Sequence, residues 1–203
     1  MLKVGLTGGY ATGKSFVAGE LERLGCYVIS ADHLGHQVLE PGGEAYSPTV
    51  ALFGPDITCE DGRIDRKKLG AVVFRSPELL KQLEAIVHPA VFHLESDLLR
   101  GFAAREPTGI VVLEAAILIE TGRYKLFDRL ILTVCSEEAQ IQRGMKRDGL
   151  TREQVRARLD KQMPNEEKRR YAHYIVDTDG PKTTTLEQIQ AIHRELRDAA
   201  DVS

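Results

Sequence analysis

Residues 2–16, which read LKVGLTGGYATGKSF, decide the fold of this chain. They contain the pattern G-x-x-x-x-G-K-[ST], whose fixed positions are Gly8, Gly13, Lys14 and Ser15. A short apolar run precedes the pattern, and the apolar residues that follow it recur at the spacing of one helix face: Val17, Leu21 and Leu24. A glycine-rich loop between a strand and a helix is the setting in which this pattern binds phosphate.

The chemistry of phosphate binding explains the composition of the loop. Glycines let the backbone amides approach phosphate oxygens closely, and the free N–H groups of the following helix attract the same anion. Lys14 is expected to reach the β- and γ-phosphates, and the Ser15 hydroxyl to ligate Mg²⁺. The alternative is a glycine-rich turn whose lysine only caps a helix. We predict that the whole loop binds a nucleoside triphosphate: Gly8, Gly9, Tyr10, Ala11, Thr12, Gly13, Lys14, Ser15 and Phe16.

Length and composition narrow the class of protein. The 203 residues, of which 42% are hydrophobic, suit one domain with room for an excursion or a lid. No apolar run is long enough to span a bilayer and no signal peptide is evident, so we expect a cytoplasmic protein without a membrane partner. A net charge of −3 and a pI of about 6.1 argue against a nucleic-acid partner. The three cysteines show no metal-binding spacing.

Asp32 follows the carboxyl end of the second predicted strand, residues 26–30, at the edge of the sheet where ligands bind. Ligands of open parallel sheets bind beyond the carboxyl ends of the strands, which is where the phosphate loop also lies. A catalytic role for Asp32 is one interpretation. The other is that Asp32 caps a helix over residues 33–39.

Residues 35–105 are predicted to form a helical excursion that carries the second substrate. Pro41-Gly42-Gly43 is expected to interrupt regular secondary structure, and residues 54–62 are predicted to be irregular. An amphipathic helix face ends at His88-Pro89. His88 is ambiguous, since a residue before proline at a helix end often hydrogen-bonds locally.

The remaining strands complete a parallel sheet. Apolar runs predict strands at residues 109–113, 129–134 and 173–176, and a final helix at residues 183–200. Glu114, directly after the third strand, has the position of a Walker B acid that holds Mg²⁺. The alternation of strands and helices predicts a five-stranded parallel sheet with helices on both faces, the three-layer fold of phosphate-loop NTPases. Residues 1–34, 106–135 and 171–203 would form its core.

Residues 136–170 are predicted to form a helical lid. Between residues 143 and 170 the chain has ten Lys or Arg against five Asp or Glu, although a solvated helix face explains part of that surplus. Ser136 is a predicted N-cap, Thr151 and Gln154 form a predicted capping box, and Val155, Leu159 and Met163 would share one apolar face. Arg143 and Arg147 lie one helical turn apart and are expected to contact the transferring phosphate. Closure of such a lid excludes water, the competing acceptor.

Residues across nearly the whole chain resemble the dephospho-CoA kinase family. The resemblance rests on Gly5-Leu6-Thr7-Gly8-Gly9, Gly13-Lys14-Ser15, Asp32, His36, Gly42-Gly43, Phe53-Gly54, Ile64-Asp65-Arg66, Leu69-Gly70, Phe74, Leu83-Glu84, Ile86 and His88-Pro89. In the lid it continues through Arg143, Arg147, Arg158, Gln162-Met163 and Glu167-Lys168.

The resemblance implies transfer of the γ-phosphoryl group of MgATP to the ribose 3′-hydroxyl of dephospho-CoA, the last step of coenzyme A synthesis. It implies Asp32 as the base, with Lys14, Arg143 and Arg147 as its catalytic partners. Further residues are implied to bind the acceptor: Asp32, His36, Arg66, His88 and Glu114. Asp177 and Gly180 are implied to lie near the adenine of ATP, and Ser15 and Glu114 to hold the metal. We expect a monomer or a small homo-oligomer.

The chain departs from the family pattern in three places. Residues 114–120 read EAAILIE where the family usually has Asp-x-Pro-Leu-Leu-Phe-Glu, residues 172–174 read AHY for Ala-Asp-Tyr, and residues 177–180 read DTDG for Asp-Asn-x-Gly. Two other functions share the phosphate loop: a nucleoside or nucleoside monophosphate kinase, and a nucleotide-dependent switch without acceptor chemistry. The signatures within residues 35–105 favour dephospho-CoA as the acceptor, and an acid at Asp32 with an arginine-rich lid argues against a switch.

Overall fold

The computed structural model describes residues 1–201 and divides the chain into two compact units. The first unit combines residues 1–29 with the chain from residue 102 onward, and the second is Ser30–Gly101. Among the helices within the described part of the chain, none is long and apolar enough to cross a membrane. The predicted division into core, excursion and lid stays a prediction.

A five-stranded sheet forms the centre of the first unit. Its strands are β1 (Leu2–Gly8), β2 (Tyr27–Ser30), β3 (Ile110–Glu114), β4 (Arg129–Val134) and β5 (Tyr174–Asp177). Their order is β2-β3-β1-β4-β5, so the strand before the phosphate loop is central. It pairs in parallel with β3 and β4, and the register sets Leu6 beside Glu114 and Gly8 beside Thr133. This register brings the end of β3 next to the start of the phosphate loop.

Helices connect the strands, as the sequence predicts. They are α1 (Lys14–Arg23), α2 (Ala31–Gln37), α3 (Tyr46–Phe53), α4 (Arg66–Val73), α5 (Pro77–Arg105), α6 (Glu137–Asp148), α7 (Arg152–Leu159), α8 (Asn165–Lys168) and α9 (Lys182–Asp201). Short 3-10 turns lie at Pro55–Ile57, Arg123–Leu126 and Arg169–Tyr171. The predicted phosphate-loop NTPase fold is confirmed.

The core of the first unit forms where α1 and α9 pack on the sheet. Most apolar positions that suggested two amphipathic helices are buried there with the inward residues of β1: Val4, Leu6, Val17, Leu21, Ile189, Ile192 and Leu196. Leu24, predicted on the same face as Val17 and Leu21, is exposed instead, because it lies at the end of α1. Burial of a Leu or Ile side chain stabilises by about 1.5–3 kcal/mol. These contacts hold α1, and with it the phosphate loop, against the sheet.

The second unit is helical and has its own small core. Residues of the 3-10 turn, of α4 and of the segment between them form a buried cluster: Ile57, Ile64, Leu69 and Val73. The predicted irregular stretch contains the 3-10 turn and one isolated antiparallel bridge, Thr58 with Ile64. The prediction that this part of the chain is mainly helical is confirmed.

Three local predictions were wrong. First, α5 does not end at His88-Pro89 but continues through Pro89 to Arg105. Proline removes only one helical hydrogen bond, and the buried Ala90 and Val91 anchor the turn that follows it. Second, Ser30 caps α2, because its hydroxyl accepts the His33 N–H at 3.4 Å, and Asp32 lies in the first turn instead.

Third, Met163 does not continue the apolar face of α7, since that helix ends at Leu159. The predicted caps of this region are correct: Ser136 accepts the Ala139 N–H, and Thr151 and Gln154 form the capping box. Strand β4 has its predicted bounds, whereas β3 and β5 each begin and end one residue later than predicted. As a result Glu114 and Asp177 are the last residues of their strands.

Candidate active site

The phosphate loop is shaped by two glycines for different reasons. Position 8 has no room for a side chain, because a Cβ there would lie 2.1 Å from Thr133 Oγ1 on the neighbouring strand. Only glycine fits. Gly13 has φ +85° at the N-cap of α1, a left-handed conformation that glycine adopts without strain. Thr12 closes the loop, since its hydroxyl donates to Gly9 O at 2.9 Å. The loop therefore bends sharply into the N-terminus of α1.

Lys14 points back over this loop. Its Nζ donates to Gly8 O at 2.9 Å and to Gly9 O at 3.0 Å. The side chain is partly buried, so the ammonium is held near the backbone amides that follow. An ammonium held above a glycine-rich loop is placed to attract phosphate oxygens.

Ser15 and Glu114, the two residues predicted to hold a metal, are in direct contact. Ser15 Oγ donates to Glu114 Oε1 at 2.9 Å, which joins the first turn of α1 to the end of β3. Hydroxyl and carboxylate oxygens are ligands that Mg²⁺ accepts, and Mg²⁺ takes its other ligands from water and substrate phosphates. Within residues 1–201 no cluster of three or more His, Cys, Asp or Glu side chains is arranged to hold a metal. This pair fits a metal that depends on the nucleotide for its remaining ligands.

Arg143 is fixed against the loop by several contacts. Its guanidinium donates to Thr178 Oγ1 at 2.8 Å, to Thr178 O and to Ala11 O at 3.4 Å. The Thr178 hydroxyl in turn lies 2.9 Å from Thr12 O and 3.3 Å from Val134 O. One buried threonine thus joins the phosphate loop, β4 and a lid arginine.

Arg147 is engaged by Asp148 and Tyr10. Its Nε donates to Asp148 Oδ1 at 2.7 Å, and its guanidinium carbon lies 5.0 Å from the centroid of the Tyr10 ring. The Tyr10 hydroxyl donates to Asp148, and Arg158 also lies over the ring, at 5.5 Å. Hydrogen bonds from Arg147 and Tyr10 hold the pKa of Asp148 well below its usual range. Burial and the neighbouring Asp148 raise the pKa of Tyr10.

The phosphate loop and both arginines line one cavity of about 220 Å³. Its walls are the backbone and side chains of residues 11–16, together with Arg143 and Arg147. Three cationic groups and the N-terminus of α1 face the same space, an arrangement that binds a polyphosphate. The structure therefore brings together the predicted loop, Lys14, Ser15 and both arginines.

Asp177 is the last residue of β5, and Gly180 lies in the turn between β5 and α9. Asp177 Oδ1 accepts the Asp179 N–H at 2.8 Å, and the Asp177 N–H donates to Gln188 Oε1 at 2.9 Å. Asp179 accepts from both the N–H and the hydroxyl of Ser136, at 2.7 and 3.0 Å. These bonds tie the turn to the start of α6. A role of Asp177 and Gly180 toward adenine stays a prediction.

Four predicted acceptor residues lie in the second unit. Asp32 is exposed in the first turn of α2. His36 Nε2 and Arg66 NH2 are 2.6 Å apart, and burial together with that guanidinium lowers the pKa of His36. His88 is exposed on α5, where its ring lies 6.2 Å from that of Phe92. The structure brings His36 and Arg66 together and leaves His88 in a separate contact.

Sequence reasoning missed two interactions, of which the first lies within the site. The role of Thr178 was not predicted, because its partners Thr12 and Arg143 are distant in the chain. Lys168 was recognised only as part of the family pattern. The structure shows that it is fully buried, with Nζ 2.7 Å from Glu120 Oε1. A lysine between a glutamate and an arginine in a polar segment gives no sequence signal of burial.

Comparisons with known proteins agree with this geometry. The family model described as dephospho-CoA kinase matches residues 2–183. A dephospho-CoA kinase from Aquifex aeolicus is 39% identical over 196 residues, covering 97% of this chain and 98% of that protein.

Solved structures give the same result. A dephospho-CoA kinase from Campylobacter jejuni has a TM-score of 0.74 and 26% identity, and the alignment covers 97% of this chain and 98% of that one. A shikimate kinase from Acinetobacter baumannii in complex with shikimate has a TM-score of 0.52 and 16% identity, with 98% of this chain and 94% of that chain covered. At that identity the likeness shows the fold alone.

Proposed function

The chain belongs to the dephospho-CoA kinase family, and we propose that it transfers the γ-phosphoryl group of ATP to the ribose 3′-hydroxyl of dephospho-CoA, with its residues in the roles given below. The observation that carries this proposal is the cavity in which residues 11–16, Arg143 and Arg147 face one another. Phosphoryl transfer needs in-line positioning and charge neutralisation more than covalent chemistry, and the cationic groups of this cavity would supply the charge neutralisation.

The phosphate loop would bind the β- and γ-phosphates of ATP. Backbone amides of the loop and the N-terminus of α1 hold the anionic oxygens, and Lys14 neutralises charge at the phosphate that is transferred. Arg143 adds a second charge from a fixed position, since Thr178 and Ala11 restrain it. Arg147 would reach the phosphate by exchanging Asp148 for a phosphate oxygen, because both partners are anions. These roles account for three of the four proposed catalytic residues.

Ser15 and Glu114 would hold Mg²⁺, which when bound offsets charge on the phosphate oxygens. The hydroxyl and the carboxylate already lie within hydrogen-bonding distance of each other, so both are directed to one point. Glu114 also ends a strand beside β1, where a carboxylate can orient the acceptor through its second oxygen.

Asp32 would act as the base. In the reaction a bond forms between the acceptor 3′-oxygen and the γ-phosphorus, while the bond from that phosphorus to the β–γ bridging oxygen breaks. Asp32 accepts the proton of the hydroxyl, and ADP leaves with the bridging oxygen. His36 and Arg66 would bind the acceptor, as would His88 through its own contact; the 2.6 Å approach of His36 to Arg66 supports a shared role for that pair.

Incubation with MgATP and different acceptors tests the proposed function. Dephospho-CoA, AMP, adenosine and a no-acceptor control are compared by ADP formation and by product mass. We expect one added phosphate on dephospho-CoA alone, lost in Asp32→Asn with ATP binding unchanged. Transfer to AMP or adenosine instead would identify a nucleoside or nucleoside monophosphate kinase, and ATP binding without transfer would indicate a switch.

A further inference from the structure

Tyr10 of the phosphate loop directs all of its polar groups to the predicted lid. Its N–H donates to Gln162 Oε1 at 2.7 Å, its carbonyl accepts from Gln140 Nε2 at 2.6 Å, and its hydroxyl donates to Asp148. A Cβ at Gly144 would lie 2.6 Å from Tyr10 Cε1, so helix α6 leaves a space that the ring fills. Tyr10 therefore joins the loop to the lid.

Two arginines of the lid lie over the Tyr10 ring. The guanidinium carbons of Arg147 and Arg158 are 5.0 and 5.5 Å from the ring centroid. A guanidinium within about 6 Å of a tyrosine ring is attracted to the negative face of that ring. This attraction acts on the charge of the guanidinium and not on one particular N–H group. Arg147 can therefore change its hydrogen-bond partner and keep its contact with the ring.

Asp148 is the anion to which Arg147 is bound. Arg147 donates to this carboxylate from Nε at 2.7 Å and from NH2 at 3.0 Å, a two-point contact that a phosphate group also accepts. The same carboxylate accepts from the Tyr10 hydroxyl and lies 3.5 Å from Arg158 NH1. When Arg147 turns to a phosphate, Tyr10 and Arg158 remain as partners of Asp148. An exchange that leaves no anion without a partner costs less free energy.

The surroundings of Tyr10 favour action through Arg147 over direct contact with the nucleotide. Arg147 lines the phosphate cavity with residues 11–16 and Arg143, and Tyr10 is not among the described residues that line it. The backbone N–H of Tyr10 already donates to Gln162, so it is not directed at a phosphate. Tyr10 thus differs from the loop residues that follow it.

We propose that Tyr10 is a positioning residue for Arg147. Its ring keeps the guanidinium beside the phosphate cavity, and its hydroxyl holds Asp148 while Arg147 turns from that carboxylate to a phosphate oxygen. The inference rests on the proposed function, because Arg147 must act on the phosphates of ATP. It also gives a reason for the glycine at position 144, which makes room for the ring.

Tyr10→Leu tests the role of the ring, because leucine stays apolar but does not attract a cation. We expect kcat/KM for MgATP to fall about threefold to thirtyfold, the change that corresponds to one cation–π contact. The KM for dephospho-CoA should stay within twofold. In an Arg147→Ala background the same substitution should cause less than a twofold further loss, because the group that the ring positions is gone.

Arg156→Ala provides the matched control background. Arg156 is exposed on α7 and pairs with Glu137 at 3.5 Å instead of lying over the ring. Tyr10→Leu should therefore lower kcat/KM for MgATP in this background as much as in the wild type. An equal loss in the Arg147→Ala background would mean that Tyr10 only stabilises the loop, and it would overturn the inference.

Tyr10→Phe tests the role of the hydroxyl, because phenylalanine keeps the ring. Asp148 then loses one partner and should hold Arg147 more firmly, so we expect the KM for MgATP to rise about threefold while kcat stays within twofold. Adding Asp148→Asn removes the competing charge and should reverse that rise. An unchanged KM in Tyr10→Phe would overturn the part assigned to the hydroxyl.

The wild type separates failure of this inference from failure of the proposed function. Wild-type protein that transfers no phosphate to dephospho-CoA would remove the proposed function, and this inference with it. Transfer by the wild type, with equal losses from Tyr10→Leu in every background, would remove only the inference.

Discussion

Ser15 Oγ lies 2.9 Å from Glu114 Oε1 and donates a hydrogen bond to it. These residues are 99 positions apart in the chain, one at the start of α1 and the other at the end of β3. The parallel register of β1 with β3 brings them together, because it sets Glu114 beside Leu6, two residues before the phosphate loop. The contact joins the nucleotide-binding loop to the strand end where family members usually have aspartate.

Glu114→Gln should weaken the use of Mg²⁺. Glutamine keeps the length of the side chain and its contact with Ser15 but loses the charge. Hydrogen bonds to charged groups contribute about 1.5–3 kcal/mol, so we expect kcat to fall roughly tenfold to a hundredfold, with a higher Mg²⁺ requirement. Mg²⁺ titrations of the initial rate measure both effects. Glu114→Asp keeps the charge, so its kcat and its Mg²⁺ requirement should lie between those of the wild type and of Glu114→Gln. An unchanged Mg²⁺ dependence in Glu114→Gln would contradict a metal role.

Thr178→Val and Thr178→Ser separate the hydroxyl of Thr178 from its bulk. Valine keeps the shape but leaves Arg143 and Thr12 O without their shared partner, whereas serine keeps the partner. An unmade buried hydrogen bond costs about 1–3 kcal/mol, so Thr178→Val should unfold at lower denaturant and raise the KM for MgATP about threefold to tenfold. Denaturation and steady-state kinetics check this. Equal behaviour of the two variants would show that the hydroxyl does not position Arg143.

Gly144→Ala should lower the stability of the folded chain only when the aromatic ring of Tyr10 is present. A Cβ at Gly144 would lie 2.6 Å from Tyr10 Cε1, so alanine must displace the aromatic ring. In a Tyr10→Ala background the space is free. Alanine should then stabilise α6 by up to about 1 kcal/mol, as expected for Gly-to-Ala in a helix interior. Urea unfolding of the two single variants and the double variant gives the coupling, and purely additive effects would rule out the contact.

Lys168→Met should lower the free energy of unfolding more than the substitution of an exposed lysine would, although the polar sequence around Lys168 suggests exposure. The lysine is fully buried, and its Nζ is paired by charge with Glu120 at 2.7 Å without a well-aligned hydrogen bond. Because Glu120 keeps partial solvent contact, we expect the substitution to lower the free energy of unfolding by about 1–3 kcal/mol, which is less than for a fully buried pair. The double variant Lys168→Met/Glu120→Gln should recover part of this loss in chemical denaturation. A double variant less stable than either single one would contradict the pairing.

Thiol reactivity should distinguish one cysteine from the other two. Burial raises the pKa of Cys26 to about 11 and also raises that of Cys135, so both stay protonated and shielded at pH 8. Cys59 is exposed. A colorimetric thiol reagent at pH 8 should therefore detect about one thiol in the native protein, and all three of the sequence after denaturation. Cys59→Ser should reduce the number of reactive thiols in the native protein to nearly zero. A second fast-reacting thiol would contradict the burial of Cys26 and Cys135.

The raised pKa of Cys26 also predicts how stability depends on pH. In the folded chain the thiol keeps its proton to about pH 11, whereas in the unfolded chain it loses it near its ordinary pKa of 9.0. The folded state therefore binds more protons between these values, and its stability should decline as pH rises from about 9 to 11. Cys26→Ala should flatten this decline in urea unfolding at several pH values.

The sequence by itself determined the parts that depend on neighbouring residues. The glycine pattern of the loop, the apolar runs of the strands and the caps at Ser136 and Thr151 were predictable because each is set within a few positions of the chain. The same local pattern failed at Pro89, where burial of the next turn outweighs one lost hydrogen bond.

The tertiary structure alone decided the contacts that connect distant segments. Strand register brought Glu114 to Ser15, and packing of α6 on the loop fixed Arg143 on Thr178 and placed Tyr10 against Gly144. The side-chain amides of Gln140, Gln162 and Asn165 lie close to Gly9, although these residues are more than 130 positions away in the chain. Residue spacing records only the local preferences of the backbone. These contacts depend on how the sheet and helices pack, so only the folded chain specifies them.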